Sequence, residues 1–495
     1  MPGYVIGVDG GTESLRAGVF DLQGNALAFE STAYQTTFPQ SGWAEQQPAE
    51  WWSALGRSVR GAVQASGVAP ADIGAMAVDT TCCSVVALDE CGTALRPAMI
   101  WMDVRSQAQA QRVAATGDPA LVINGNGRGP VSAEWMLPKA AWLKAHELRT
   151  FNAAETICEY QDYLNLHLTG RCVASLNNLS VRWHYRARDG GLPRSLLQAM
   201  DMPELAGKWP QEVLPPGAPI GPLTAEAAVH LGLAPGTLVV QGGSDASVAM
   251  IGMGVVDAGS MALVTGSSHL QLGLSTQGFH GAGIWGTYAD AVIPGLHLVE
   301  GGQTSTGSVV NWFRTLAGRD ASYEELSREV AAVPPGSEGV LVQEHFQGNR
   351  TPHTDPLSRG AITGLSLRHQ RGHLLRAIME AVAYGSRLII ETMRTNGCVV
   401  EGLTVAGGVA RSDVWLQIHA DILGMPLSLV HTTEAACLGS GILAAVGAGA
   451  FASIPDAART MTRIVRVVEP GQSGAIYDEH FQRYCRLYSA LRSIV

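Results

Sequence analysis

Lysine is almost missing from this chain: Lys139, Lys144 and Lys208 are the only three in 495 residues. None of them stands in a glycine-rich GK[ST] element, so a P-loop of the Walker type is excluded and any nucleotide must be held another way. Charge of either sign is scarce, at 15% against the roughly 25% of an ordinary soluble protein. What charge there is sums to −10, from 33 basic and 43 acidic residues. No broad positive field exists to hold a phosphate backbone or an anionic bilayer, so neither nucleic acid nor membrane is expected as a partner. The eight cysteines form no CxxC pair and no Cys/His cluster with zinc spacing, which argues against a structural metal framework and for free thiols in a reducing compartment. No basic region or cleavable apolar segment precedes the strand-like run at Tyr4, and the longest apolar stretch, Ile442 to Ala452, is too short and too rich in Gly and Ala to span a bilayer. A cytoplasmic protein is the expectation.

What the chain has in quantity is glycine, 58 residues, within a composition that is 46% hydrophobic. Its length suggests two large domains or three ordinary ones. Tyr4–Asp9, Leu15–Asp21 and Ala26–Thr32 read as three strands joined by short turns, the first turn being Gly10–Gly11–Thr12. A helix from Pro48 through Ala65 and a strand at Ile73–Asp79 follow, and such alternation means an α/β layer structure. The opening theme returns at Met261–Thr265, Gly266–Ser267–Ser268 and His269–Leu274. That echo suggests two similarly built halves, with the boundary near Met253: an N-terminal domain over 1–253 and a C-terminal domain over 254–495. The second half is expected to hold a helix after Gly307, a long helix from about Arg371 to Met393, a strand at Leu403–Ala406, and a helix from about Asp413 to Leu423.

Three small-residue turns close strands: Asp9–Gly10–Gly11–Thr12, Thr265–Gly266–Ser267–Ser268 and Ala406–Gly407–Gly408–Val409. Strand ends of this kind are where α/β proteins bind nucleotides, and an Asp beside glycines suits Mg²⁺–phosphate binding. An ordinary hairpin turn is the plainer account of Asp9. A fourth loop, Gly242–Gly243–Ser244–Asp245, offers either a helix N-cap or a general base for a substrate hydroxyl.

The stretch Gly360–Ala361–Ile362–Thr363–Gly364–Leu365, seven further residues, His373–Leu374, two more, then Ala377–Ile378–Met379–Glu380, resembles the C-terminal signature of the FGGY carbohydrate kinases at every defined position. The four loops and the run from Ala406 to Gly424 fall in the family's order, so the resemblance covers essentially the whole chain. It implies two actin-like, ribonuclease-H-like domains with a cleft between them, and ATP-dependent phosphorylation of a sugar or polyol hydroxyl. Through the resemblance, Asp9 is the Mg²⁺-associated carboxylate, and Thr12 and Arg16 lie beside the transferred phosphate. Thr265 and Gly266 belong to the second phosphate loop, Gly307 and Asn311 line the nucleotide, and Gly408 and Ser412 belong to the adenosine loop. Asp245 matches the catalytic base. Asn311 stands where the family often has Gln, and Ser412 where it often has Asn.

The segment Asp79–Thr80–Thr81–Cys82–Cys83–Ser84, the loop Trp101–Met102–Asp103–Val104–Arg105 and Glu300–Gly301–Gly302–Gln303 resemble the ribulokinase branch. The Gln-Met-His-Gly element of xylulokinases and the Arg-Glu pair of glycerol kinases are absent. The resemblance therefore implies a ketopentose, D-ribulose first, with D-xylulose, L-ribulose, ribitol and erythritol as alternatives. Glu134, Asp103 and Arg105 are the expected readers of the sugar's hydroxyls, with Lys139 near the same loop. Cys82 is placed with them, although core packing is the plainer role for it and Cys83. Closure of the two halves is expected to gate the reaction. The competing reading is an actin-like ATPase switch, which would need neither Asp245 nor the C-terminal signature. Oligomeric state is left open, a homodimer included.

Overall fold

The computed structural model describes residues 3–127, 129, 131–317 and 322–494. They fall into two compact units: residues 1–256, 287–298 and 434–463 make the first, and 257–286, 299–433 and 464–495 the second. A single cut at 253/254 comes within a few residues of the first crossing but misses two later returns of the chain to the first unit. The larger return includes the helix Ala435–Gly447, which the sequence reading had placed in the C-terminal domain. Its physical reason is a backbone-to-backbone fit: a Cβ on Gly7 would lie 1.8 Å from the Cys437 carbonyl oxygen, so this helix seats on the opening strand where there is no side chain.

The first unit is built on strands β1 (Tyr4–Gly10), β2 (Ser14–Asp21), β3 (Ala26–Ala33), β4 (Ile73–Thr80), β5 (Pro219–Pro222) and β6 (Leu238–Val240). They lie in the order β5-β6-β4-β1-β2-β3. β1 runs antiparallel to β2 and parallel to β4, β4 is parallel to β6, and β5 closes the far edge antiparallel. Val5, Ile6 and Val8 are fully buried, as expected of a central strand covered on both faces. The helix Pro48–Ser66 covers one face, opened by a proline whose missing N–H costs a first turn nothing and ended by Gly67 in the left-handed region.

The second unit repeats this plan. Strands β7 (Ser260–Thr265), β8 (His269–Ser275), β9 (His297–Gln303), β10 (Gly402–Gly407), β11 (Leu427–Val430) and β12 (Ile464–Val468) lie in the order β9-β8-β7-β10-β11-β12. β7 is antiparallel to β8 and parallel to β10, β10 is parallel to β11, and β12 closes the edge antiparallel. The echo read in the sequence is thus an echo of topology over six strands, and a seventh, Gly286–Ala289, adds to the edge of the second sheet beyond β9. Helices Arg371–Thr395 and Asp413–Leu423 cover the sheet, the second starting and ending on the residues expected. Among the described residues no helix is long and apolar enough to cross a membrane.

Candidate active site

Parallel pairing sets two carboxylates side by side, because Asp9 on β1 and Asp79 on β4 are register partners and therefore share a face. Asp9 keeps an exposed edge, whereas Asp79 has none. Ser440, on the helix Ala435–Gly447, donates to Asp79 Oδ2 at 2.7 Å, and Asp79 Oδ1 is buried. A third carboxylate comes from the glycine turn after β6. There the Thr80 amide donates to Gly243 O at 3.2 Å, tying the end of β4 to the loop that carries Asp245.

Asp245 is not the N-cap. Ser244 takes that backbone position and sends its hydroxyl to Asn177 and Ser247, both at 2.9 Å. Asp245 is the first residue of the helix Asp245–Gly252, and it accepts from the Ala246 amide at 2.7 Å. Burial, with Asp9 nearby as a like charge, pushes its carboxyl up to about 7, against the pull of Arg182. Burial also raises Asp9 to about 6, opposed by Arg16, and holds Asp79 well above the usual carboxylate range. A carboxylate poised near 7 with an accessible edge is what a general base for a hydroxyl requires.

The Gly10–Gly11–Thr12 turn is tight, Gly11 N–H donating to Ser14 O at 3.0 Å. Gln46 and Tyr34 hold it from behind through Thr12 O and Gly11 O. Thr12 Oγ1 accepts from the Trp101 indole at 3.0 Å, which links the first phosphate-type loop to the loop expected to meet the sugar. Arg16, opposite Asp9 on β2, is ion-paired with Glu434.

Asp103 and Arg105 do not fit the role expected of them. Both side chains are without exposure, and the Arg105 guanidinium bridges Asp103 at 2.6 Å and Glu45 at 2.8 Å while stacking 3.6 Å above the Trp43 ring. Asp103 also accepts from the Ala44 amide at 2.7 Å. A buried guanidinium has to be neutralised by carboxylates, so this pair is committed to the shape of its own loop rather than to a ligand. Lys139 is likewise fully buried, donating to the carbonyls of Cys83 and Ile100, both at 2.7 Å, so it clamps the Cys83 turn to the Trp101 loop. Cys82 is half-buried, with its Sγ 3.9 Å from that of Cys83, and Glu134 is half-buried beside Ser132. Sequence reasoning missed Arg182, whose charge acts on both Asp245 and Cys83. It lies in a helix with no motif around it, and only the fold brings it there.

In the second unit the other turns meet. Thr265, at the end of β7, receives the Gly408 amide on its carbonyl at 2.9 Å and the Val409 amide on its hydroxyl at 3.0 Å. Gly407 has φ +95, and a Cβ there would lie 1.8 Å from Thr265 O. Gly307 opens its helix against the Thr265–Ser268 turn, its amide 3.2 Å from Gly266 O. A Cβ on Gly408 would meet nothing within 4 Å, and one on Gly266 nothing nearer than 3.6 Å. Internal packing therefore does not explain glycine at either place, and both positions leave room for a ligand to approach the backbone. Asn311 is exposed one helical turn beyond Gly307, accepting from Arg314 at 3.2 Å. Ser412 caps the helix Asp413–Leu423 through the Trp415 amide at 3.4 Å.

Models of the FGGY family of carbohydrate kinases match residues 4–252 with the N-terminal domain and 261–448 with the C-terminal domain. The chain belongs to that family. It is an ATP-dependent sugar phosphotransferase with the two-domain actin-like fold of FGGY kinases. It is 29% identical to a ribulokinase of Geobacillus thermodenitrificans over 98% of this chain and 94% of that protein. An FGGY carbohydrate kinase domain-containing protein of Homo sapiens is 31% identical over 98% of this chain and 96% of its own length. The crystal structure of xylulose kinase from Rhodospirillum rubrum superposes with a TM-score of 0.89 at 28% identity, over 99% of both chains.

Two outcomes follow for the kinase. Arg105→Ala leaves Asp103 buried without a counter-charge and Glu45 with Arg96 alone, a loss of about 3–5 kcal/mol that urea unfolding will read. A variant of unchanged stability with a raised sugar KM would instead return Arg105 to the ligand. The second concerns Asp245, whose raised folded pKa favours the folded state below the ordinary carboxylate value near 4, a contribution lost as pH rises to about 7. Measured without ligands, the melting temperature of wild type should therefore fall relative to Asp245→Asn between pH 5 and pH 8.

Proposed function

We propose that this kinase transfers the γ-phosphate of ATP to a ketopentose, D-ribulose first, with Asp245 as the general base and Asp9 as the carboxylate that holds a Mg²⁺ ion. The observation that carries the reading is Asp245 itself: a carboxyl raised to about 7, set at the start of a helix behind a glycine turn and close enough to Asp9 to feel its charge. Asp245 takes the proton of the substrate hydroxyl as its oxygen attacks the γ-phosphorus, and ADP leaves with the electron pair of the broken P–O bond. Arg182, half-buried, supplies the positive charge that opposes the rise at Asp245. The glycines at Gly266 and Gly408 leave open space for the nucleotide.

The residues present suit Mg²⁺. Among the described residues no three His, Cys, Asp or Glu side chains form a metal cage. The Asp9 carboxylate, which keeps an exposed edge beside the buried Asp79, is the kind of site Mg²⁺ uses when substrate phosphates and water complete its shell. When bound, the ion supplies charge neutralisation at the phosphates.

The sugar assignment rests on the ribulokinase-like segments Asp79–Ser84 and Glu300–Gln303 and on ribulokinases among the relatives. Xylulose kinases among the relatives and solved structures make D-xylulose the natural competitor. The eight cysteines are all free, which supports a reducing, cytoplasmic setting.

An ADP-release assay over D-ribulose, D-xylulose, L-ribulose, ribitol, erythritol and glycerol tests the substrate. D-ribulose should give the highest kcat/KM, and glycerol should be poorer by at least about two orders of magnitude, because it leaves donors and acceptors unpaired. A glycerol or hexose optimum overturns the ketopentose reading. Asp245→Asn should lower kcat by roughly 10²–10⁴ with sugar and ATP binding kept within a few-fold. Since the base works deprotonated, kcat/KM should climb with pH and level off above about 7; a rate flat from pH 5 to pH 8 contradicts the assignment.

A further inference from the structure

Asp79 has no place in the reaction as described, yet it is the most completely enclosed carboxylate of the site. One oxygen is fixed by Ser440 at 2.7 Å. The other is turned to Asp9, its partner across the parallel register, and the two carboxyls share a hydrogen bond. Zero exposure means that no ligand can touch Asp79 directly. Setting a second carboxyl against Asp9 in a buried floor is costly, and an apolar residue would avoid that cost altogether. A hydrogen-bonding group held rigidly beside the carboxylate that meets a cation is, however, the usual arrangement for orienting a metal ligand.

We propose that Asp79 is a positioning residue for the cation at Asp9: Ser440 fixes its Oδ2, and its Oδ1, turned to Asp9, sets the direction of the Asp9 carboxylate. The proposal rests on the reading of Asp9 as the Mg²⁺ carboxylate. It also gives a purpose to the helix Ala435–Gly447, which supplies Ser440 to Asp79 and is preceded by Glu434, the partner of Arg16.

The test is Mn²⁺ binding to the ADP-loaded full-length protein, read by the paramagnetic resonance signal of free Mn²⁺, with metal-free ADP binding measured alongside. Asp79→Asn should weaken Mn²⁺ by 10–100-fold, as loss of an outer-shell partner does, and leave metal-free ADP affinity within a few-fold. Ser440→Ala, which keeps the carboxylate but frees it, should move Mn²⁺ affinity in the same direction by a smaller factor. Wild-type Mn²⁺ affinity in Asp79→Asn, with Asp9→Ala defective, overturns the positioning role and spares the metal reading. Equal Mn²⁺ affinity in wild type and Asp9→Ala overturns both. Should Asp79→Asn fail to fold, Ser440→Ala decides: unchanged Mn²⁺ affinity there overturns the proposal.

Discussion

Much of the first unit depends on one close approach. The helix Ala435–Gly447 touches β1 at Gly7 and the helix Asp245–Gly252 at Gly252 and Gly439, in each case backbone against backbone. A Cβ at Gly252 would lie 1.9 Å from Ala435 O, and one at Gly439 would lie 2.0 Å from Val248 O. This helix is therefore a wedge of fixed thickness between the strand that ends in Asp9 and the helix that begins with Asp245. Its own side chains then reach the site, Ser440 to Asp79 and Cys437 to the Arg16 carbonyl. The distance between the base and the phosphate-side carboxylate is set by glycines remote from the chemistry.

That packing explains an electrostatic arrangement that is costly in isolation. Burial raises all three aspartates, Asp9 adds to the rise at Asp79 and Asp245, and Arg16 and Arg182 oppose it at Asp9 and Asp245. The chain has almost no lysine to spend here, and Lys139 is turned to carbonyls rather than to carboxylates. A floor so rich in negative charge is the kind that meets phosphates with the help of a cation, which Asp9 is proposed to hold.

The elements that came directly from local pattern are the ones whose identity is local. Short apolar runs mark β1, β2, β4, β7 and β10, and glycine pairs after Asp9, Gln241 and Ala406 mark the turns. Asp103 and Arg105 misled because a polar WxDxR loop looks solvent-facing until its carboxylate and guanidinium are seen paired under Trp43. Arg182 and Ser440 carried no local signal, since their meaning comes from strands and helices hundreds of residues away or on other elements. The return of residues 434–463 to the first unit did leave a trace, the small residues Gly439–Ser440–Gly441 within an apolar helix. Small residues at this spacing say that something packs closely, but they do not say what.

The account stands most directly on the wedge, and Gly439→Ala measures it. The added methyl group forces the Ala435–Gly447 and Asp245–Gly252 helices apart, and overpacking of this kind costs about 1–3 kcal/mol. The predicted result is a lowered melting temperature together with a fall in kcat of at least about tenfold, as expected when reacting groups shift by a fraction of an ångström, while metal-free ADP binding is unchanged. A Gly439→Ala protein with wild-type kcat and wild-type melting temperature would contradict it.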